Sequence, residues 1–334
     1  MTEFLDACYN AIRKQEISLS ETIKAADDES VSLLRSKRLV VLTGCGDSFA
    51  VADYGRWAFL GVGLNSVAIS PLAISQIQLD DSCLVIGVSA SGRSTATIDA
   101  LKTAKSTNAT TIVLTDNPEG KATEYTDYAW VTQSGVESHN ISPSSVTTTA
   151  MVYLLKLAVE LQEQPDSQIG RDLRQLKHVG KRMVDWAEEV GKAISEVVPP
   201  DGPLYMISDG SNHVAAQIGM MKFNEYSVVH SFAALREDFR HHHVLSINEG
   251  DSAVLVSDSP TNDNDTLFFR ALVGKLRMRA YHLYTPEDLN LESPLGQTVA
   301  NSIAFQMAAF HHVMKHDSEK PDWKEPNVSA FEIY

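Results

Sequence analysis

Cysteine is scarce in this 334-residue chain: Cys8, Cys45 and Cys83 are the whole set. An odd, scattered trio excludes a disulfide framework, lacks the paired spacing of a zinc site and fits a reducing compartment. Positive charge is also in deficit, with 28 Lys and Arg against 43 Asp and Glu and a net charge of −15. That sign excludes broad attraction to nucleic acid or to anionic membranes. Aromatic residues make up 7% of the chain and do not alternate with basic ones, so a stacking platform for single strands is missing too. No stretch stays apolar for the ~20 residues a membrane span needs. The start MTEFLDACYN lacks the basic and apolar regions of a secretory signal. A soluble cytoplasmic protein is expected, and if its ligand is an anion, a local site must override the acidic field of the chain.

What is present is an ordinary globular composition, 43% hydrophobic and 21% charged, on a chain long enough for two domains. Apolar residues recur at helical spacing from Glu3 to Leu34. From Arg38 short apolar runs alternate with longer helical ones: RLVVLT, DSFAVADYGRWAFLGV, SVAIS, SCLVIGVS, TATIDALKTAKS, ATTIVLT, YAWVT, and a closing helix from Ser145 to Leu161. Continuous apolar strands separated by helices specify a parallel sheet covered on both faces. A polar stretch, QEQPDSQIGRD, leads to one amphipathic helix from Leu173 to Val197, ended by Pro199, Pro200, Gly202 and Pro203. The alternation then repeats through PLYMIS, SNHVAAQIGMMKFNEY, VVHSFA, DSAVLVSD, TLFFRALVGKL, AYHLYT and a helix from Leu295 to Lys315.

The expected organisation is N-terminal helices over 1–37, a first domain over 38–165, a linker and helix over 166–200, a second domain over 201–315 and a Pro-broken tail over 316–334, either disordered or docked. The fold class is α/β: two αβα three-layer sandwiches with parallel, flavodoxin-like sheets.

Two strand-to-helix turns carry chemistry. SCLVIGV runs into Ser89-Ala90-Ser91-Gly92-Arg93-Ser94-Thr95, and a helical pattern starts at once. Several hydroxyls and free backbone N–H groups around one point make a phosphate or sulfate site. The alternative is that Ser and Thr simply cap the helix, for which one residue suffices. The other turn is Gly44-Cys45-Gly46-Asp47-Ser48, where Asp47 or Ser48 can cap the next helix and Cys45 is expected to be a small buried thiol. In an open α/β sheet both turns converge beyond the carboxyl ends of the strands.

In the second half, Lys222 and Glu225 lie three apart on an apolar helical stretch, MMKFNEY, followed by His230 and by His241-His242-His243. The pair is either an exposed ion pair or a carboxylate and cation on one face, suited to taking and returning a carbon-bound proton. A metal is not expected at the histidines, because in an extended segment His241 and His243 alone share a side.

GCGDS followed by a strand ending SASGRS resembles the sugar isomerase (SIS) domain family, and the resemblance extends over both halves, similar to the isomerase part of glucosamine-6-phosphate synthase. It implies a phosphosugar ligand held by Ser89, Ser91 and Ser94, with Ala90 contributing backbone and Cys45, Gly46 and Ser48 lining the pocket. K-x-x-E-Y-S, His230 and D-F-R-H match the family's K-x-x-E-[IY]-S…H…E-L-K-H run in spacing. By that resemblance Glu225 moves a proton between C1 and C2 of the open-chain sugar, Lys222 lies beside it and His241 helps open the ring. Glu137 and Ser142, in ESHNIS, fall where the family's E-x-G-V-A-S segment begins the closing helix. The resemblance also implies a homodimer whose neighbouring subunit completes the site; no cofactor is expected.

Several departures shape the expectation. Arg93 replaces an acid after the serine-turn glycine. The equivalent turn of the second half, VSDSPTNDND, lacks S-x-S-G, so one anion site per chain is expected. Pro326 takes the position of the synthase's tail lysine, with Lys324 two residues earlier, and no glutaminase activity is expected. The expected activity is a sugar-phosphate isomerase, or a deaminase or deglycase of an amino-sugar 6-phosphate. The alternative is a non-catalytic phosphosugar-binding regulator.

Overall fold

The computed structural model of the protein describes residues 1–26, 29–136, 141–259, 262–323 and 327–331. Three helices open the chain: α1 (Glu3–Arg13), α2 (Gln15–Ala25) and α3 (Glu29–Arg35). A first set follows of β1 (Leu39–Gly44), α4 (Asp47–Gly61), β2 (Ser66–Ala68), β3 (Cys83–Val88), α5 (Thr95–Ser106), β4 (Thr110–Thr115), β5 (Tyr128–Val131) and α6 (Ser145–Gln162). Helices α7 (Gln168–Leu176) and α8 (Gly180–Val197) lead to β6 (Leu204–Ser208), α9 (Asn212–Lys222), β7 (Ser231–Leu235), α10 (Arg236–His241), β8 (Ser252–Val256), α11 (Asp263–Arg270), β9 (Arg279–Leu283) and α12 (Pro294–His316).

The chain divides into two compact units. One is Ile17–Gly180 with Glu325–Tyr334; the other joins Met1–Glu16 to Lys181–Lys324. The first unit holds a parallel five-stranded sheet in the order β2-β1-β3-β4-β5. Val41 lies beside Val67 and Val85, and Val85 beside Thr111. The β-branched runs of β1, β3 and β4 are buried on both faces, against Ile98 and Leu101 of α5 on one of them. Strand order reverses between β1 and β3, which opens a crevice at their carboxyl ends.

The second unit repeats that order without the fifth strand, β7-β6-β8-β9, again parallel throughout. Tyr205, Ile207, Leu255, Phe239 and Leu272 form its core on one face. The 23-residue α12 is buried around almost its whole circumference, which its AFQMAAF centre requires. Helix α1 belongs here, with Tyr9 against Phe310 and Phe4 edge-on to Trp323. Two αβα units with parallel sheets are therefore the architecture of the protein.

Two local expectations are corrected. The single helix expected from Leu173 to Val197 is two: Ser167 caps α7 by accepting from Gly170 N–H, and the chain breaks at Lys177–Val179, where His178 N–H turns back to the Gln175 carbonyl at 2.8 Å. Burial of Val179 in the break replaces the continuous apolar stripe. The histidine triplet is not extended: His241 ends α10, and His243 opens a 3₁₀ turn over His243–Ser246.

Candidate functional site

In the first unit the two turns meet at the reversal point of the sheet. Cys45 Sγ lies 3.4 Å from the Ser94 hydroxyl and 3.7 Å from Thr97 Oγ1, and the Thr97 hydroxyl reaches Ser94 at 3.2 Å. Cys45 is exposed, which corrects the expectation of a buried thiol. It projects from the turn after β1 and does not face the sheet core. Gly46, not Asp47 or Ser48, takes the cap position of α4, with φ +54°; Ser48 is half-buried in the first turn, its N–H on the Cys45 carbonyl.

The serine turn is held by its carbonyls. Ala90 accepts from Asp116 N–H and Thr115 Oγ1, Ser91 from the Asn117 amide, and Gly92 from Ala122 N–H. Anchoring the acceptors to the turn after β4 leaves the Ser89, Ser91 and Ser94 hydroxyls to face other partners. Ser89 is buried, and Ser91 accepts from Arg93 N–H at 3.3 Å. Gly92 sits at φ +66°, and a β-carbon there would come within 2.7 Å of Gly120 Cα, so both positions need glycine. Ser94 occupies the N-cap of α5 but its side chain makes no capping hydrogen bond. The capping explanation of this hydroxyl cluster thus fails at the residue that would cap. What remains is a 12-residue helix N-terminus without a side-chain cap, ringed by hydroxyls, a geometry chemically suited to an anion.

Ser142 is buried just before α6, whereas Glu137 lies outside the described residues. The tail residues Lys324 and Pro326 fall outside them as well. Sequence reasoning missed Thr97, which touches both turns, and Asn117, which ties the serine turn to the turn after β4; the TDNP turn after β4 was the available signal for Asn117.

In the second unit Lys222 ends α9 and the chain continues as a π-helical turn over Phe223–Ser227. The Lys222 side chain is 1% exposed, and its Nζ donates to Glu225 Oε2 at 2.9 Å, while Glu225 is 31% exposed. This is not a solvated surface pair, and π-turns recur at functional sites. His241 is 78% exposed, with its Nε2 3.7 Å from Glu237. Among the described residues no three His, Cys, Asp or Glu side chains cluster as a metal site requires.

The carboxyl edge of the second sheet has a different character. Arg236 pairs with Asp209 and with buried Asp265, and donates to the Val256 carbonyl. Burial raises the Asp209 carboxyl above its ordinary value, against the pull of Arg236. Asn212 at the start of α9 donates to Asp258 at 2.6 Å and accepts from Asn301 at 3.0 Å. Carboxylates, with the arginine that answers them, stand here where the first unit has hydroxyls.

Residues 33–160 match the family model for the SIS domain. The chain is similar to a SIS domain over that segment, somewhat more than a third of its length. It is also homologous to the isomerase domain of glutamine–fructose-6-phosphate aminotransferase (isomerizing): the protein of Aquifex aeolicus is 24% identical over 252 residues, 74% of this chain and 42% of that protein. The chain thus spans less than half of that relative. An uncharacterized HTH-type transcriptional regulator of Haemophilus influenzae is 30% identical over 165 residues, 47% of this chain and 57% of that protein. Among solved structures, the C-terminal domain of glucosamine-fructose-6-phosphate aminotransferase from Francisella tularensis superposes with TM-score 0.77 at 19% identity, covering 92% of this chain and 95% of that one. Glucosamine-6-phosphate deaminase from Thermotoga maritima gives 0.75 at 16%, covering 93% and 95%. These likenesses establish the SIS-type fold over nearly the whole chain. Among the described residues no helix is long and apolar enough to cross a membrane.

Proposed function

We propose that the protein binds a sugar 6-phosphate through the serine turn of its SIS-like segment and moves a proton between C1 and C2 of the open-chain sugar, as an isomerase or as a deaminase or deglycase of an amino sugar. The observation that carries the reading is the buried Lys222 ammonium held against the half-exposed Glu225 on a π-turn. A carboxylate is the group that takes a weakly acidic C–H proton and returns it one carbon away, worth typically about 10²–10⁴ in rate. The adjacent ammonium offsets negative charge developing on the enediolate oxygens. Ser89, Ser91 and Ser94, with the N–H groups at the start of α5, receive the phosphate; Cys45, Gly46, Ser48, Ala90 and Ser142 complete the lining. Proton transfer of this kind needs no metal and no cofactor. His241, exposed on α10, serves ring opening in a second copy of the chain, which makes the active species a homodimer.

The second reading is a phosphosugar-binding regulator without catalysis, favoured by the 30% identity to the Haemophilus regulator. Proton NMR in heavy water separates the two. With fructose 6-phosphate and glucosamine 6-phosphate, the enzyme exchanges the C1 or C2 proton for deuterium, and Glu225→Gln stops the exchange while leaving binding intact. Binding by the native protein without exchange of either proton supports the regulator and overturns catalysis. Mixing Glu225→Gln with His241→Ala restores about one quarter of native activity if sites are completed across a dimer; no restoration rejects that part of the proposal.

A further inference from the structure

Each residue of the π-turn is fastened by its side chain. Phe223 meets the ring of His312 edge-on at 5.7 Å. Asn224 brackets the start of β7, accepting from Ser231 N–H at 3.0 Å and donating to the Ser231 carbonyl at 3.3 Å. Glu225 takes Lys222 at 2.9 Å, the Tyr226 hydroxyl donates to the Gln306 carbonyl at 3.3 Å, and Ser227 Oγ lies 2.5 Å from His312 Nδ1. Two of these anchors, Gln306 and His312, stand on the buried helix α12.

The turn needs such anchoring. It ends on Val228, a β-branched residue at φ +58°, in a region that costs of order 1–3 kcal/mol and persists only where surroundings over-determine it. His312 is 1% exposed, so its ring cannot follow Ser227 if the turn rewinds. Tertiary packing by α12, not helix propensity, holds the winding.

We propose that the Ser227–His312 hydrogen bond is a positioning device that sets the Glu225 carboxylate against Lys222, so that α12 fixes the geometry of the proton-transferring group without touching the sugar. The inference rests on Glu225 being the base. Its loss leaves sugar-phosphate affinity at the serine turn unchanged and lowers the exchange rate, because a misplacement near 1 Å costs about 10²-fold.

The test compares Ser227→Ala, His312→Leu, His312→Gln and Glu225→Gln in the full chain, using exchange on whichever of fructose 6-phosphate and glucosamine 6-phosphate is turned over. Ser227→Ala and His312→Leu lower kcat about 10–100-fold with KM within twofold of native. His312→Gln, which keeps a hydrogen-bonding group, recovers part of the loss. The double variant Ser227→Ala/His312→Leu is no worse than His312→Leu, since both remove one bond. A readout that needs no turnover is the Glu225 carboxyl carbon resonance, assigned through Glu225→Gln, which moves in both single variants at constant pH. Native kcat and an unmoved resonance in Ser227→Ala, together with inactivity of Glu225→Gln, overturn the positioning role and leave the base standing. Undiminished exchange by Glu225→Gln overturns the base itself.

Discussion

The two sheets share one strand order but treat the N-terminus of the helix after their third strand in opposite ways. In the first unit α5 begins at Ser94 with no side-chain cap, amid neutral hydroxyls. In the second, Asn262 caps α11 by accepting from Asn264 and Asp265 N–H, and Asp263 and Asp265 fill its first turn. Arg236 neutralises Asp265 and Asp209 in turn. A helix N-terminus whose donors are answered by an asparagine cap, and whose dipole is answered by carboxylates in its first turn, has little left for a ligand anion. Duplicated architecture therefore supplies two possible sites, and a handful of polar residues decides which stays open.

The comparison breaks most sharply at Arg236. Arg236→Met leaves Asp265 buried without its cation and costs about 3–5 kcal/mol, read as a loss of urea midpoint. Fructose 6-phosphate binding at the serine turn is expected to persist wherever the variant is folded.

Acid should separate the two units next. Burial, helped by His316 and Lys315 and opposed by backbone acceptors at Pro199 and Val198, pushes His312 down to about 4. His243, His282 and His311 are lowered as well, each first by burial, and all four belong to the second unit. A histidine depressed in the folded state is protonated first in the unfolded chain. The stability it contributes is complete above pH 6.5 and lost as pH falls toward 4, about 3 kcal/mol for His312. The carboxylates lowered in the first unit, Asp80 and Asp127, lose their contribution only below that window. Hydrogen exchange followed segment by segment between pH 6.5 and about 4.5 should show opening in 181–323 before 39–162; the reverse order contradicts the assignment.

Converting the first edge into the second is a gentler change. Ser94→Asp supplies the missing cap, raising stability by about 1 kcal/mol. It also places a carboxylate at the proposed phosphate position, so fructose 6-phosphate affinity is expected to fall about 100-fold by thermal shift or calorimetry. Smallest is the control pair: Asn262→Ala costs about 1 kcal/mol of stability, whereas Ser94→Ala, whose hydroxyl caps nothing, costs less than about 0.5. Equal losses would show that the two termini are not treated differently.

Much of this fold is legible in the chain alone. RLVVLT, SCLVIGVS and ATTIVLT are continuous apolar runs because parallel strands are buried on both faces, and α5 coincides with TATIDALKTAKS. The serine turn and the Lys222–Glu225 pair are visible as local spacings. Three things are not. The π-turn is indistinguishable from ordinary helix, since hydrophobic periodicity does not register one loosened turn. The six-residue α10 is too short to display a period against three histidines. The Asn212–Asp258 and Asn212–Asn301 bonds join residues 46 and 89 positions apart, a relation that only folding creates.

The glycine pair in the first unit has a consequence for how such proteins diversify. Gly92 and Gly120 touch through their backbones, so neither can gain a side chain without parting the two turns. The shape of the cradle is locked by atoms every amino acid has. The hydroxyls around it belong to side chains, so they can be exchanged while the backbone path of the turn is kept.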